Sequence, residues 1–361
     1  MAYCFRIQHS LYMEKKVKSI IYWLMKSLAR ITLRFYYRGI DFKGKDQIPS
    51  EGPLIYAVNH QNAFMDAIIV GGFSPLPTYF MTRSDVFVPP FDWFLDALKM
   101  MPIYRIRDGY KSLSKNDAIF DTCKKLLLDK KAILIFPEGN HGLEYYLRPL
   151  TKGISRIALQ SQSDIDVPIK IIPTGLNYFN HFHSGHKLIV KFGEPIDVTD
   201  FLDTYKEHSH KGLKKITDAI STEMKKTLVI ANDSDGYPRQ KKIFQRKNES
   251  ENFSTLCRDL DRKDKTNEEK KYPFLSAIGE IFSLPNLPPI ALTWWVLKNK
   301  VSQKIFYSSI KIAIVMLVFP VWFMLIFGFV WFFEGLKWAA IIFLIQLVTL
   351  VIRREIVRFA H

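Results

Sequence analysis

Residues Ile312 to Phe333 run for 22 positions without a charged side chain, and nothing else in the chain restricts its fold as much. As a helix this stretch is about 33 Å long, the thickness of a bilayer hydrocarbon core. A backbone in lipid must satisfy its own hydrogen bonds, which leaves the helix as the form open to it; Pro320 and Gly328 are compatible with that. After Glu334-Gly335-Leu336-Lys337, Trp338 to Ile352 adds 15 more uncharged residues. That is short for a full span, although snorkelling of Lys337 and inclusion of Gly335 extend it. A full span and a re-entrant hairpin therefore both stay open. Lys298, Lys300, Lys304 and Lys311 flank one outer end, and Arg353, Arg354 and Arg358 the other. Cations at the outer ends and almost none at the turn predict a transmembrane hairpin with both ends cytoplasmic. A buried pair of core helices is the alternative.

Upstream, from Asp46 to about Leu228, short apolar runs alternate with helical stretches. Pro53 to Val58, Thr78 to Met81, Pro102 to Arg107, Ala132 to Phe136, Pro168 to Leu176 and Lys187 to Phe192 are predicted strands. Leu113 to Asp129 and Ile154 to Gln162 are predicted helices, and residues 211 to 229 close the unit with another. This alternation argues for an α/β architecture, a mixed sheet flanked by helices. In such sheets ligands bind where strands hand over to loops.

Residues 15 to 38 predict an amphipathic helix. Ile20, Leu24, Leu28, Ile31 and Phe35 share one narrow sector at 3.6 residues per turn, while Lys26, Arg30 and Arg34 fall on another. Trp23 and Tyr22 at headgroup depth, with the cations facing lipid phosphates, would hold it on a bilayer surface. The whole chain carries a formal charge of +16, which suits an anionic partner. Its basic residues accompany apolar helices and not a base-stacking platform, so membrane lipid is expected and nucleic acid is not.

The expected division is an N-terminal membrane-interface helix (residues 1–43), an α/β domain (44–230), a charged linker with an interfacial segment (231–305) and a C-terminal hairpin (306–361). The linker expectation rests on polar, weakly periodic composition up to about Lys271. Cys4, Cys123 and Cys257 lack metal-ligand spacing and fit reduced thiols. His181, His183 and His186 lie without carboxylates or cysteines at ligand spacing, so no metal is expected and they are taken as solvated loop histidines.

Two short blocks stand out chemically. Asn59-His60-Gln61-Asn62-Ala63-Phe64-Met65-Asp66 ends one predicted strand, and Phe136-Pro137-Glu138-Gly139-Asn140 ends another. A histidine and a carboxylate a few residues apart can act as a base and the acid that orients it, one ring nitrogen facing each. Arg105 and Arg107, two apart on a predicted strand, point the same way and would form a phosphate clamp.

In their order these blocks resemble the membrane glycerolipid acyltransferase family, that is, the lysophosphatidic-acid and glycerol-3-phosphate acyltransferases. Asn59-His60 with Asp66 resembles the catalytic block and Ile103-Tyr104-Arg105-Ile106-Arg107 the second. Phe136-Pro137-Glu138-Gly139 resembles the third and Val167 to Pro173 the proline-bearing fourth. The likeness covers roughly residues 45 to 230. The usual catalytic block has four residues between His and Asp and this chain has five. Some glycerol-phosphate acyltransferase branches look similar, and a loose turn would absorb the extra residue.

The resemblance implies that His60 is general base on an acceptor hydroxyl and that Asp66 orients it, with no enzyme nucleophile. It implies that Arg107, assisted by Arg105, binds phosphate, and that Glu138 binds the acceptor's glycerol hydroxyl or holds its loop. Gly139 would permit close backbone approach, and Lys152 would contact phosphate or coenzyme. The implied activity is membrane-bound O-acyl transfer, in phospholipid biosynthesis, from acyl-CoA or acyl carrier protein to 1-acylglycerol 3-phosphate, with no bound cofactor. Glycerol 3-phosphate, another lysolipid or an aminolipid are alternative acceptors, and a non-catalytic lipid-binding membrane protein is the alternative class. The implied location is the inner (cytoplasmic) membrane, with the catalytic domain facing the cytoplasm.

Overall fold

A computed structural model describes residues 2–104, 115–246, 251–261, 272 and 274–358. The chain opens with α1 (Ala2–Tyr36) and continues through β1 (Gly39–Lys43), β2 (Leu54–Val58), α2 (Phe64–Phe73), β3 (Thr78–Arg83), α3 (Asp92–Ala97) and β4 (Met100–Ile103). Next come α4 (Lys115–Leu128), β5 (Ala132–Ile135), α5 (Gly153–Gln162), β6 (Lys170–Tyr178), β7 (Lys187–Phe192), β8 (Ile196–Asp197), α6 (Leu202–Glu207) and α7 (Ser209–Lys225). The last part comprises α8 (Tyr237–Arg246), α9 (Phe253–Asp261), α10 (Leu275–Ile281), α11 (Leu287–Asn299), α12 (Tyr307–Glu334) and α13 (Leu336–Arg358).

The strands form one mixed sheet in the order β1-β7-β6-β2-β5-β3-β4, with β8 beside β6. β2 is parallel to both β5 and β6, and β3 is parallel to β5 and β4. Only β7 and β8 run antiparallel to β6. Central strands covered on both faces need apolar residues on both, and every residue of β2 is buried. Its pleat divides two cores. Leu54, Tyr56 and Val58 face Leu33, Tyr36, Met65 and Ile69 from α1 and α2. Ile55 and Ala57 face Cys123, Leu127, Ile157, Ile216 and Ile220 from α4, α5 and α7. Because β2, β5 and β6 run the same way, their C-terminal ends open on one edge, where His60 and Glu138 follow β2 and β5.

Three expectations need correction. α1 leaves Ile20, Leu24, Ile31 and Phe35 exposed, as its apolar sector requires, but Lys26 is buried and does not face outward. Its ammonium donates to the Ser74 and Leu76 carbonyls at 2.9 and 3.2 Å, and the Arg30 guanidinium donates to the Gly72 carbonyl at 2.5 Å. These carbonyls end α2, where the helix dipole and unpaired oxygens favour cations. Burial, reinforced by Arg30, pulls the Lys26 ammonium down to about 8.

The charged linker is the second correction. α8 and α9 dock on the domain, with Phe244, Phe253, Leu256 and Leu260 buried against Tyr145, Phe179 and Ile230. Few apolar residues at the right spacing suffice when a sheet edge supplies the rest of the core. Third, the strand expected at Pro102 to Arg107 starts earlier, at Met100, and Arg105 and Arg107 lie outside the described residues.

α12 and α13 are each long and apolar enough to cross a membrane, and their most apolar windows are only 17% and 11% buried. A core helix pair would be mostly covered, so that alternative does not describe this hairpin. Gly335 (φ 87) makes the turn between them in a conformation that favours glycine. The second helix, Leu336–Arg358, has 23 residues, long enough by length to cross a hydrocarbon core, with Arg353, Arg354 and Glu355 following its apolar run.

Candidate active site

Asn59 fastens the end of β2 to β6 just before His60. Its side-chain amide donates to the Leu176 carbonyl at 3.1 Å and accepts from the Leu176 N–H at 2.7 Å, extending the ladder by one amide pair. The chain then turns sharply. Ala63 adopts φ 45, ψ −125, a region that L-residues rarely enter, and the Met65 N–H donates to the Asn62 carbonyl at 3.0 Å. This turn absorbs the fifth residue between His60 and Asp66 and starts α2 with Asp66 in its first turn.

The two expected catalytic residues meet. His60 Nδ1 lies 2.8 Å from Asp66 Oδ2, with the Asp66 side chain fully buried and the His60 side chain 15% exposed. Two further donors converge on the same carboxylate: the Asn62 N–H reaches Oδ2 at 2.8 Å and the Tyr178 hydroxyl reaches Oδ1 at 2.5 Å. A carboxylate with this many donors accepts from all of them, so Nδ1 carries a proton, and the neutral tautomer this selects has its lone pair on Nε2. Burial and the neighbouring Asp66 charge push the Tyr178 phenol well above its ordinary value, so it remains a donor. The imidazole also stacks on Phe136, centroids 3.8 Å apart and planes within 10°. Ring, tautomer and orientation are all held from the protein side.

Glu138 occupies the facing loop, and its side chain is 1% exposed. It accepts from the His60 N–H at 3.0 Å, the Arg148 N–H at 3.1 Å and the Arg148 guanidinium at 2.6 Å. Both carboxylate oxygens are engaged inside the protein. Of its two expected roles, the geometry is that of a latch joining the two loops and not of a free ligand for an acceptor hydroxyl. Arg148 completes the latch by donating to the His60 carbonyl at 3.3 Å and to Asn140. Gly139 has φ 75, a conformation that favours glycine, and a Cβ there would come within 3.0 Å of the Thr151 side-chain methyl. Lys152 is exposed at the start of α5, immediately after Thr151, whose N–H donates to the Pro137 carbonyl.

Arg148 and Tyr178 were not singled out from sequence. Arg148 offered a signal, a lone cation between apolar Leu147 and Pro149-Leu150. Tyr178 offered none beyond its place at the end of an apolar strand. The histidine expectation is also corrected: His181 and His186 are buried. His181 Nε2 is 3.2 Å from Gln61 Oε1, and its carbonyl accepts from Asn62 and from Ser308 at the start of α12. Among the described residues no group of three His, Cys, Asp or Glu is arranged to hold a metal.

His181 predicts a pH effect on stability. Burial, with Lys241 adding to it, pulls its imidazole down to about 3, against an ordinary value near 6.5. The unfolded chain therefore binds a proton that the folded chain refuses between these limits. Stability is whole above about 6.5 and falls as pH drops toward 3, by up to roughly 1.4 kcal/mol per unit. Thermal midpoints measured in detergent across this range check it: the slope should flatten in His181→Phe, and an equal slope in both proteins counts against the assignment.

Residues 39–176 match the family model described as Acyltransferase. This segment is similar to the glycerolipid acyltransferases. Glycerol-3-phosphate O-acyltransferase 1 of Saccharomyces cerevisiae is 30% identical to the chain over 130 residues, 34% of this chain and 17% of that protein. A 1-acyl-sn-glycerol-3-phosphate acyltransferase of Chlamydomonas reinhardtii is 25% identical over 135 residues, covering 37% and 38%. The chain thus spans about a sixth of the yeast relative's length. The 1-acyl-sn-glycerophosphate acyltransferase PlsC of Thermotoga maritima aligns with TM-score 0.41 and 16% identity, over 62% of this chain and 89% of that one. The family match contains both the His60–Asp66 pair and Glu138, and the acyltransferase domain's sheet continues past it through β7 and β8.

Proposed function

We propose that the chain is a membrane-bound O-acyltransferase that moves a fatty acyl group from acyl-CoA or acyl carrier protein to the hydroxyl of 1-acylglycerol 3-phosphate. One observation carries this reading. His60 is braced as a base through Nδ1, yet among the described residues no protein hydroxyl or thiol is hydrogen-bonded to its Nε2. The place that a serine fills in a hydrolytic triad is left for a hydroxyl of the substrate.

In this reading Nε2 takes the proton from the acceptor hydroxyl as its oxygen attacks the thioester carbonyl. The C–S bond then breaks, the ester C–O bond remains, and the imidazolium returns its proton to the leaving thiolate. Asp66, held by Tyr178 and Asn62, stabilises the transient imidazolium. Arg105 and Arg107 are proposed to clamp the acceptor phosphate. β4 runs parallel to β3, so the chain leaves it on the same edge of the sheet as His60. Lys152 is proposed to contact phosphate or coenzyme.

α12 and α13 are proposed to span the membrane, with the domain against its cytoplasmic leaflet. Large exposed apolar side chains such as Phe329, Phe332 and Trp338 on the hairpin, and Ile20, Trp23 and Leu24 on α1, support this placement. Glycerol 3-phosphate is the second acceptor, favoured by the likeness to the yeast glycerol-3-phosphate O-acyltransferase. Mass spectrometry of products from purified protein, offered both donors and both acceptors, tests the proposal. Phosphatidic acid from 1-acylglycerol 3-phosphate is the expected product. Lysophosphatidic acid alone would move the acceptor to glycerol 3-phosphate. Lysophospholipid binding without any release of free thiol would mark a non-catalytic lipid-binding protein.

A further inference from the structure

A cavity of about 900 Å³ lies between the hairpin, α1, α10 and α11, away from the cluster around His60. Its two ends differ. One is aromatic and aliphatic, lined by Phe319, Phe323, Phe327, Trp331 and Phe343. The other carries Lys311, Arg353 and Arg354, with Glu280 the one carboxylate in the lining and His183 and Ser184 at its rim. Along α12 the interval from Lys311 to Trp331 is about 30 Å, so the cavity runs the depth of a hydrocarbon core.

The cations are unequally satisfied. Arg353 is paired with Glu280 at 2.8 Å and hydrogen-bonded to Ser283. Arg354 is paired with Glu355 and donates to the Phe35 carbonyl. Among the described residues Lys311 reaches no carboxylate: its ammonium donates to the Phe182 carbonyl at 2.8 Å. An ammonium half-buried at the mouth of an apolar groove, opposed only by a carbonyl dipole, wants an anion. An apolar channel of this length below it wants an acyl chain.

We propose that this groove is a binding site for one anionic phospholipid, its headgroup phosphate on Lys311 between Arg353 and Arg354 and an acyl chain along the α12–α13 cleft. The site is distinct from the proposed acceptor site and does not require it. It is nevertheless joined to the catalytic block. Ser308 and Ser309, one turn before Lys311, hydrogen-bond the His181 carbonyl, the Asn62 carbonyl and the Met65 N–H. Occupancy at Lys311 would therefore firm up the helix end on which the His60 loop leans.

Delipidated full-length protein, exchanged against mixed vesicles of equal phosphatidylglycerol and phosphatidylcholine and measured by native mass spectrometry, tests this. Phosphatidylglycerol is neither acceptor nor product of the proposed reaction. The expected result is one retained phosphatidylglycerol, at least tenfold preferred over phosphatidylcholine. Lys311→Met should lose that preference and Lys311→Arg should keep it. Gly328 lines the groove, and a Cβ there meets nothing within 4 Å, so Gly328→Leu should fold and exclude the acyl chain. Equal retention of the two lipids, or a preference unchanged in both Lys311→Met and Gly328→Leu, would overturn the proposal.

Discussion

Replacing His60 with alanine is expected to lower the acyl-transfer rate by about 10³- to 10⁴-fold while the protein stays folded. A positioned general base contributes roughly 10²- to 10⁴-fold, and His60 sits at the upper end because its tautomer and plane are both held. Asp66 Oδ2 at 2.8 Å holds the tautomer, and stacking on Phe136 holds the plane. Asp66→Asn should cost a comparable factor. The amide would present an N–H to Nδ1 and reverse the tautomer, leaving a donor where the lone pair is needed. The double variant should be little worse than either single one, because the two residues act as a unit. Initial rates on purified variants, with unchanged thermal midpoints as the folding control, decide this. Near-normal turnover in His60→Ala would remove the base from the mechanism.

The second large effect is expected at Arg148. Its guanidinium is the counter-charge to a Glu138 side chain that is 1% exposed. Removing one partner of a buried pair strands the other, at a cost of about 3–5 kcal/mol. For a domain of this size that lowers the melting midpoint by roughly 10 °C. Arg148→Ala should also reduce turnover, because Glu138 receives the His60 N–H and the two loops share this carboxylate. Replacing both partners with leucine should recover more stability than activity, since it removes the stranded charge but not the need to place His60. A single variant melting with the wild type would show that Glu138 finds its donors elsewhere.

The mixed sheet was readable because strands buried on both faces must be apolar at every position, as β2 is, and leave an unbroken run in the chain. The short edge strand β1 gave no such run. Its Gly39, Asp41 and Lys43 alternate with Ile40 and Phe42 as a half-covered strand does, and only pairing with β7 tells it from a loop. α8 and α9 were obscured for a related reason. Their apolar side chains are few, and their burial depends on Tyr145 and Phe179, which arrive from distant segments.

The candidate site divides in the same way. His60, Asp66 and Glu138 were legible because the proposed chemistry and the loops around it restrict both residue type and short-range order, and both restrictions are local in the chain. Arg148 and Tyr178 hold the same carboxylates but act through space: Tyr178 reaches Asp66 across 112 positions. No spacing rule relates such partners. The amphipathic pattern of α1 likewise located its apolar face correctly, but it could not say that α2 would end where Lys26 and Arg30 begin.

By itself the amino-acid sequence determined the buried central strands, the long apolar helices, and which histidine and acids could do chemistry. Hydrophobic periodicity and side-chain type are properties of neighbours along the chain. Only the tertiary structure decided that Glu138 is a latch held by Arg148, that Tyr178 braces Asp66, that His181 is buried, and that the hairpin's first turn supports the catalytic loop. Each of these depends on which distant carbonyl, carboxylate or hydroxyl packing brings within about 3 Å, and that is set by the sheet order and not by any local pattern.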